Sequence, residues 1–406
     1  MRVSLRIESI VHGGEGLARH QGRVVFVRGG APGDVVEAEV AGNQARFERA
    51  RALRVVQAGA ARIQAPCPIV DRCGGCPLQH VDYAVQLAAK SALTRDALER
   101  IGGVTDIELL PIVPAPKQFR YRRRARMHRG PGGAWGFAGD EGIVAVEQCL
   151  LFEEPLQQLA DALRGIELPG VTDLGLDTGA SGRRAVDLRG TGTPALRKRA
   201  RALLALVDGV TLGSGDALGD PVLVDACSTF LLRSRPDVFS QANRCMVPAL
   251  QRAALDALGE SAGGRVLELF SGSGTLTLPL LGRARAVVGV ESAGPALQLL
   301  RRSADEVPGL SARLRLIAGD AAAVLGGLDG PFDAALLDPP RTGAAGAVRA
   351  LAKLRVPRIA YVSCDAPTLA RDAKLLGEAG YRLLSAQPLD LFPQTAHFEV
   401  VASFAR

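Results

Sequence analysis

A cysteine and a glutamate near the end of the chain could act together as a nucleophile and a base. Cys364 ends the apolar run "RIAYVSC", and Glu399 follows His397 by two residues at the start of a final apolar run. Residues two apart share one face of a strand, so His397 and Glu399 are expected to point the same way. A cysteine in a strand usually only packs. At a strand end, however, a thiolate can add to an electrophilic carbon while a carboxylate removes a proton.

The residues before Cys364 carry a pattern typical of nucleoside-cofactor binding. In "VLELFSGSGTLTLPL" (266–280) a strand leads through a glycine-containing turn into a helix, which lets the backbone approach a ligand. Glu291 ends the next strand, 17 residues after Gly274, where an acid can accept both hydroxyls of a ribose. Asp320 is expected near the adenine, or alternatively as the N-cap of a helix. This order suits S-adenosylmethionine as well as a dinucleotide.

A second motif separates those two cofactors. In "LLDPPRTG", Asp338 ends the fourth strand of the set, because proline cannot continue a central strand. Asp338 is therefore expected at the carboxyl edge of the sheet, where ligands bind. An Asp-Pro-Pro sequence at this place is common in methyltransferases that act on nucleobases, whereas dehydrogenases have no need of it. The motif favours S-adenosylmethionine.

A cysteine with a carboxylate fits methyl transfer to carbon 5 of uracil. Carbon 5 is a poor nucleophile, but a thiolate that adds to carbon 6 creates an enolate, and carbon 5 can then attack a methyl group. A base must afterwards take the carbon 5 proton before the thiol can leave. Cys364 and Glu399 are the minimal set for this chemistry.

Three segments must position these residues in the 406-residue chain. Residues 1–58 alternate apolar and polar side chains between glycine-rich turns, which predicts a small β-barrel. Residues 59–240 are predicted to form a mixed α+β domain, with a helix at about 82–102 closed by two glycines. Residues 241–406 alternate strand and helix patterns, which predicts a doubly wound, Rossmann-like sheet. The predicted fold class is therefore α/β.

The charge of the chain is uneven and indicates a nucleic-acid partner. Residues 1–130 carry 21 Lys and Arg against 12 Asp and Glu, while the remaining residues carry 28 against 30. Within the basic part, "FRYRRRARMHRG" (119–130) holds six arginines with two aromatic residues interleaved. Alternation predicts an antiparallel strand whose basic face, including Arg122, Arg123 and Arg124, contacts RNA phosphates. The alternative is a solvated edge strand.

Three cysteines stand within ten residues in "CPIVDRCGGC", at positions 67, 73 and 76. Seven cysteines, an odd number, and the lack of a recognisable export signal argue against disulfides. Zinc and an iron–sulfur cluster both accept cysteine thiolates, and the residues alone leave the two open. The Gly-Gly pair is expected to let the backbone turn tightly, with its amides directed at sulfur.

These motifs together resemble the RNA uracil-C5 methyltransferase family, in particular its 23S rRNA branch with an N-terminal TRAM domain and an iron–sulfur cluster. The specific marks are "CPIVDRCGGCPLQH", "FSQAN", "LFSGSGTLTLPL", "LLDPPR", "SCDAPTLARD" and "LFPQTAHFEVV". The resemblance implies that Cys364 is the nucleophile and Glu399 the base. It also implies a pocket for S-adenosylmethionine and the target base, lined by Gln241, Phe270, Thr275, Glu291, Asp320 and Asp338, of which Gln241 and Asp338 could equally face the uracil.

The resemblance further implies a [4Fe–4S] cluster held by Cys67, Cys73, Cys76 and a distant fourth ligand, Cys149. The reaction of this family moves a methyl cation and a proton but no electron, so a structural or RNA-contacting role is expected for the cluster. The expected substrate is 23S rRNA, with tRNA as the alternative. A cytoplasmic monomer without a membrane segment is expected. The departures from the family pattern are modest, with Thr275 where many relatives have Asn and Ala366 where Pro is usual.

Three other functions fit the motifs less well. Radical S-adenosylmethionine enzymes need a C-x3-C-x2-C motif, whereas this chain has C-x5-C-x2-C. A non-catalytic RNA-binding or ribosome-assembly protein would not need Cys364 and Glu399. An amino-methyltransferase would want an aromatic residue after Asp-Pro-Pro, where this chain has Arg341.

Overall fold

The computed structural model describes residues 1–43, 47–191, 193–213, 215–227, 230–328 and 330–406. Within these ranges the chain forms a six-stranded sheet, two seven-stranded sheets and a two-stranded ribbon, with helices packed on both larger sheets. The predicted α/β fold class agrees with this arrangement.

The N-terminal sheet is built from strands with alternating buried and exposed side chains. Its strands are β1 (Arg2–Arg6), β2 (Ser9–Ile10), β3 (Gly16–His20), β4 (Arg23–Arg28), β5 (Val35–Asn43) and β6 (Phe47–Gln57). They are ordered β1-β5-β6-β4-β3-β2. Residues 7 and 8 carry the chain directly from one edge strand to the other, so the sheet closes on itself around a small apolar core that includes Leu5 and Val25. This matches the predicted barrel.

The middle of the chain forms the second large sheet. Its elements are α1 (Tyr83–Arg100), β7 (Arg124–Arg129), β8 (Trp135–Gly139), β9 (Gly142–Ala145), α2 (Glu154–Leu163), β10 (Val171–Thr178), β11 (Arg184–Gly190), α3 (Thr193–Leu203), β12 (Gly209–Leu212) and β13 (Ala217–Gly219). The strand order is β13-β12-β11-β10-β7-β8-β9. Apolar side chains of α2 and α3, such as Leu156, Leu159 and Ala200, pack on this sheet. A ribbon of β14 (Leu223–Cys227) and β15 (Phe230–Ser234) follows.

The arginine-rich strand lies inside the sheet and does not form a free basic face. β7 pairs antiparallel with β10 and with β8, so the antiparallel prediction is confirmed but β7 is not an edge strand. Arg126 forms an ion pair with Asp187 of β11 at 3.2 Å, and His128 lies 2.9 Å from Asp173 of β10. Acidic residues on β10 and β11 therefore neutralise the positive charge on this face of β7.

The prediction that Arg123 and Arg124 contact RNA is wrong. Arg123 is 2% exposed, and its guanidinium donates to the Asp225 carboxylate at 2.6 Å. Arg124 donates to the backbone carbonyls of Val238 and Pro236 at 2.9 and 3.1 Å. Both guanidinium groups are used inside the fold, because acids and carbonyls distant in sequence converge on them.

The C-terminal part contains the third large sheet. Its elements are α4 (Val247–Leu258), β16 (Arg265–Leu269), α5 (Thr277–Leu281), β17 (Ala286–Glu291), α6 (Gly294–Asp305), β18 (Leu314–Ala318), α7 (Ala321–Leu325), β19 (Ala334–Leu337), α8 (Ala345–Lys353), β20 (Arg358–Ser363), α9 (Ala366–Glu378), β21 (Arg382–Leu389) and β22 (Glu399–Ala405). The order is β18-β17-β16-β19-β20-β22-β21. β16 to β20 are parallel and β22 is antiparallel to both its neighbours. Helices cover both faces, as expected for a doubly wound sheet.

Helix α1 belongs to this C-terminal core, although it was predicted within the central domain. The predicted helix is confirmed, with Asp82 capping its first turn through the Ala84 amide at 2.9 Å. Ala97 and Leu98 pack in the same apolar cluster as Leu369 of α9. Residues 107–113 continue along the sheet edge and form bridges to β21. Helix α1 joins the C-terminal core because of a long-range apolar contact with α9, which the local sequence pattern does not reveal.

No helix of the described residues is long and apolar enough to span a membrane.

Candidate active site

The nucleophile and base candidates meet at one edge of the C-terminal sheet. Cys364 directly follows β20, and Glu399 is the first residue of β22. These strands are antiparallel neighbours in which Ser363 pairs with Val400. The next position in this register places Cys364 opposite Glu399. Because β22 runs against the parallel strands, its beginning lies at the carboxyl edge where ligands bind in such sheets.

Burial makes both groups hold their protons more tightly than in water. Burial raises the pKa of the Cys364 thiol to about 11; the Glu399 carboxylate adds to this increase, whereas the Arg341 guanidinium opposes it. Burial also raises the pKa of Glu399 well above its usual range, with a further contribution from Asp338 and an opposing one from Arg341. A carboxylate with a raised pKa is a stronger base, which suits proton removal.

Asp338 and His397 complete the surroundings of this pair. Asp338 directly follows β19, as the Asp-Pro-Pro motif predicted, and burial raises its pKa to about 7. His397 lies before β22 rather than within it, with its Nε2 3.2 Å from an Arg341 guanidinium nitrogen. Burial, followed by the charge of Arg341, lowers the pKa of His397 to about 4. The imidazole is therefore neutral near pH 7 and can accept a hydrogen bond from Arg341.

The glycine-containing turn after β16 has the backbone shape expected for close approach to a ligand. Phe270 has a φ of 62°, which is rare for an aromatic residue, and Gly274 has a φ of 98°. A Cβ at Gly274 would lie 2.5 Å from Leu300 Cδ1, so a larger residue there would also have to displace the Leu300 side chain. A Cβ at Gly272 would meet nothing within 4 Å, so space is open beside the turn. Thr275, which follows Gly274, accepts a hydrogen bond from the Gln251 side chain through its backbone carbonyl at 2.6 Å.

The two acids predicted to contact a cofactor occupy the ends of successive strands. Glu291 ends β17, and its carboxylate accepts hydrogen bonds from the amides of Gly272 at 3.0 Å and Ala293 at 2.8 Å. It thereby joins the glycine turn to the next strand. Asp320 caps α7 by accepting from the Ala323 amide at 3.0 Å, which is the alternative considered for it. A capping carboxylate at this edge can still contact a ligand through its second oxygen.

Gln241 lies between the central sheet and the loop that precedes Glu399. It is 5% exposed, and its carbonyl accepts from Arg123 at 3.3 Å. Two residues later, Asn243 donates to the Leu391 carbonyl at 3.0 Å. Among the described residues the side-chain oxygen of Gln241 has no hydrogen-bond partner.

Two residues of the site were missed from the sequence. Glu268 lies within β16, and burial raises its pKa to about 8, with further contributions from Asp338 and Glu291. An acid inside the apolar run "RVLELF" was the available signal, since buried carboxylates cluster at functional sites. His12 reaches Asp365 at 3.6 Å from the turn between β2 and β3. No local pattern pointed to this contact between the first and last domains.

The cysteines proposed as metal ligands lie in two loops that approach one another. All four thiols are free and half-buried. Burial raises the pKa of Cys76 to about 12; Cys149 and Cys73 add to this increase, whereas Gln79 and Arg122 oppose it. Burial likewise raises the pKa of Cys149, and Cys73 contributes. The thiols of Cys73, Cys76 and Cys149 are therefore close enough to influence one another.

The loop around the Gly-Gly pair differs from the expectation. The Gly74 amide donates to the Ala138 carbonyl at 3.0 Å, so the prediction that the amides of the pair point at sulfur is wrong for Gly74. A Cβ at Gly74 would lie 2.8 Å from the same oxygen, so glycine permits this close approach to β8. Cys67 donates its amide to Gln79 Oε1 at 3.2 Å. Within the described ranges, no three His, Cys, Asp or Glu side chains form a group that could hold a metal ion.

Comparison with protein families identifies two regions. The family described as "tRNA (Uracil-5-)-methyltransferase" matches residues 220–405, and the TRAM domain matches residues 1–53. The first region contains the C-terminal sheet with Cys364 and Glu399, and the second coincides with the closed N-terminal sheet.

Individual relatives match nearly the whole chain. A 23S rRNA (uracil(1939)-C(5))-methyltransferase RlmD of Pseudomonas aeruginosa strain UCBPP-PA14 is 36% identical, covering 98% of this chain and 93% of its own. An uncharacterised RNA methyltransferase of Gloeobacter violaceus is 33% identical, covering 100% and 96%. The crystal structure of the Pyrococcus abyssi tRNA (uracil-54, C5)-methyltransferase with S-adenosyl-L-homocysteine has a TM-score of 0.75 at 22% identity, covering 99% of both chains. This last likeness shows that the fold is shared.

Proposed function

Because the chain belongs to the RNA uracil-C5 methyltransferase family, we propose that Cys364 and Glu399 carry out its reaction, the methylation of carbon 5 of a uridine in RNA. The antiparallel register that brings the two residues together at the ligand-binding edge supports this assignment most strongly. A thiolate and a carboxylate in this arrangement suit a reaction in which one carbon gains a nucleophile and its neighbour loses a proton.

The proposed reaction has three steps: addition of Cys364, methyl transfer and proton removal by Glu399. Cys364 reacts as the thiolate after its proton has passed to water: its Sγ bonds to carbon 6 of the uracil, and the electron pair of the C5–C6 double bond moves toward O4. S-adenosylmethionine, when bound, would supply an electrophilic methyl group: carbon 5 bonds to the methyl as the bond between the methyl and the sulfonium sulfur breaks, which leaves S-adenosylhomocysteine. Glu399 then accepts the carbon 5 proton, the C5–C6 double bond forms again and the bond to Cys364 breaks. Arg341, whose charge opposes the raised pKa of Cys364 and of Glu399, stabilises negative charge at the pair.

The turn after β16 and the ends of β17 and β18 fit S-adenosylmethionine. Space is open beside Gly272, and the adjacent Glu291 carboxylate has lone pairs free for ribose hydroxyls beyond its two backbone bonds. Asp320 is proposed to lie beside the adenine. The remaining proposed contacts are Gln241, Phe270, Thr275 and Asp338, of which Gln241 and Asp338 suit the uracil equally well. An unpartnered side-chain oxygen at Gln241 is consistent with a polar ligand group there.

The cysteine site is proposed to hold a [4Fe–4S] cluster through Cys67, Cys73, Cys76 and Cys149. Four free, half-buried thiols supply the donor set that such a cluster takes. A cluster would take these four cysteines as thiolate ligands. Methyl transfer involves no electron, so the cluster is proposed to support the fold or contact RNA.

The proposed substrate is 23S rRNA. The full-length relative from Pseudomonas aeruginosa acts on that RNA, and the N-terminal domain of this chain, a match to TRAM, places His12 beside Asp365. RNA bound to this domain would lie next to Cys364. A cleft of about 1360 Å³ between the N-terminal sheet and the cysteine loop adjoins the turn that carries His12. The alternative is tRNA, the substrate named for the matched family and for the Pyrococcus abyssi enzyme.

The test is methyl transfer from radiolabelled S-adenosylmethionine to unmodified 23S rRNA and to unmodified tRNA, followed by nucleoside analysis. We expect 5-methyluridine in 23S rRNA, none after Cys364→Ala, and wild-type amounts after Cys245→Ala, a control at another half-buried thiol. Methylation of tRNA alone would replace the proposed substrate. Full activity of Cys364→Ala would overturn the proposed nucleophile.

A further inference from the structure

The connection from β21 to β22, residues 390–398, carries His397 and leads directly into Glu399. Most of it is buried, with Asp390 fully buried and Gln394 2% exposed, although His397 reaches the surface. Lys90 of α1 donates to the Asp390 carboxylate at 2.6 Å and to the Phe392 carbonyl at 3.2 Å. The position of this connection therefore depends on residues outside the sheet.

Gln86 of α1 makes a reciprocal contact with Gln394 in this connection. The Gln86 side-chain nitrogen lies 3.0 Å from Gln394 Oε1, and Gln86 Oε1 accepts a hydrogen bond from the backbone amide of Gln394 at 3.1 Å. Gln86 is fully buried. Gln394 has a φ of 69°, a conformation that a non-glycine residue holds only when its surroundings enforce it. The two hydrogen bonds to Gln86 supply such enforcement.

The same glutamine binds the cysteine segment, which we define as residues 62–81 because its ends pair through an Arg62–Val81 bridge. The Gln86 nitrogen lies 3.0 Å from the Leu78 carbonyl and 2.9 Å from the Val81 carbonyl. Leu78 in turn donates its amide to the Gln394 carbonyl at 3.1 Å. Leu78 stands two residues after Cys76, so the end of the cysteine segment and the residues before Glu399 form one hydrogen-bonded unit.

We propose that Gln86 and Gln394 are positioning residues that join the cysteine segment to the β21–β22 connection and thereby hold Glu399 opposite Cys364. This inference rests on the proposed function, since it assigns the unit to the proton-removal step. Neither glutamine touches the reacting atoms. The state of the cysteine segment reaches the base through Leu78 and Gln86, which gives the cysteine site a role that needs no electron transfer.

The inference predicts which step slows when the unit is broken. Among the described residues, Cys364 makes no hydrogen bond with this unit and remains able to add to carbon 6. Glu399 stays in β22 but loses the fixed connection that leads into it, so it removes the carbon 5 proton slowly. A displacement of about 1 Å at a reacting group can cost about a hundredfold in rate. The covalent, methylated RNA adduct should therefore accumulate, because its formation continues while its breakdown is delayed.

The test uses full-length Gln86→Met, which keeps the side chain's length without its amide, and Gln394→Met, which removes the contact from the other side. We expect kcat to fall about tenfold to a hundredfold and KM to fall with it, so that kcat/KM stays within about twofold, because only a step after methyl transfer is slowed. A denaturing gel should show more trapped RNA than wild type does. Amide hydrogen exchange over residues 390–398 should become faster while exchange in α9 stays unchanged.

The matched control is Thr94→Val, which removes a buried hydrogen bond on the same helix, from the Thr94 hydroxyl to the Lys90 carbonyl at 3.0 Å. It should trap no additional RNA. A proportional loss of all activity in both glutamine variants, without extra adduct or faster exchange, would overturn the inference. If Glu399→Gln traps adduct and the glutamine variants do not, only this inference fails. If Glu399→Gln traps none either, the proposed function fails first.

Discussion

The Cys364 thiol should be protonated in RNA-free protein at neutral pH. Burial raises its pKa to about 11, and the nearby Glu399 carboxylate contributes, while Arg341 acts in the opposite direction. The thiolate forms as the pH rises through this pKa, so the reactivity of Cys364 should increase with pH.

The size of the effect follows from the pKa. A thiol with a pKa of about 11 is roughly 0.1% thiolate at pH 8, whereas an unperturbed thiol with a pKa of about 8.5 is roughly a quarter thiolate. Only the thiolate reacts. Cys364 should therefore be alkylated roughly two hundred times more slowly than a free cysteine at pH 8. Its rate should rise about tenfold per pH unit until the pH approaches the pKa.

The assay is iodoacetamide alkylation of RNA-free protein between pH 7 and pH 11, with the Cys364 peptide quantified by mass spectrometry. Arg341→Met should slow alkylation, because it removes the charge that opposes the raised pKa. Glu399→Gln should speed it, because it removes a charge that contributes to the increase. A rate that levels off below about pH 9, or faster alkylation in Arg341→Met, would contradict this account of the site.

Three further outcomes follow from contacts described above. Arg123→Met should lower the free energy of unfolding by about 3 kcal/mol in urea titrations, since among the described residues Asp225 keeps only Arg244 and the buried Asp177 keeps only Arg124 as a cationic partner. A shallower salt dependence of RNA binding with unchanged stability would instead restore the RNA-contacting role of Arg123. Glu291→Ala should weaken S-adenosylmethionine binding by about tenfold or more in calorimetry, because hydrogen bonds to a charged group are lost; equal affinity would remove Glu291 from the pocket. Cys76→Ser should reduce bound iron measured by elemental analysis, whereas Cys245→Ser should not, and equal iron content would exclude Cys76 as a ligand.

The placement of the site could be predicted from the sequence because its signals are local. Asp-Pro-Pro stops a strand, so Asp338 had to lie at a sheet edge. A glycine-containing turn followed by an acid at the end of the next strand placed Glu291 correctly. Cys364 and Glu399 each stand at a boundary between an apolar run and polar residues. Such boundaries mark strand ends whatever the tertiary structure.

The errors concern residues whose partners are distant in sequence. The arginines of residues 119–130 resembled a nucleic-acid surface. However, the Asp225 carboxylate and the Val238 carbonyl, about a hundred positions away, accept hydrogen bonds from Arg123 and Arg124. Helix α1 was recognised, yet its apolar side chains gave no sign that they pack on α9. Long-range compensation of charge and long-range packing decide such cases, and neither leaves a periodic signal.

The central claim is that Cys364 bonds to RNA and Glu399 releases it. The direct measurement is a denaturing gel of Glu399→Gln incubated with S-adenosylmethionine and labelled, unmodified 23S rRNA or tRNA. The account predicts a retarded, covalently bound band with 23S rRNA whose uridine already carries the methyl group, and no band in the double variant that also has Cys364→Ala. Normal turnover by Glu399→Gln without adduct, or a band that persists without Cys364, would contradict the proposed nucleophile and base.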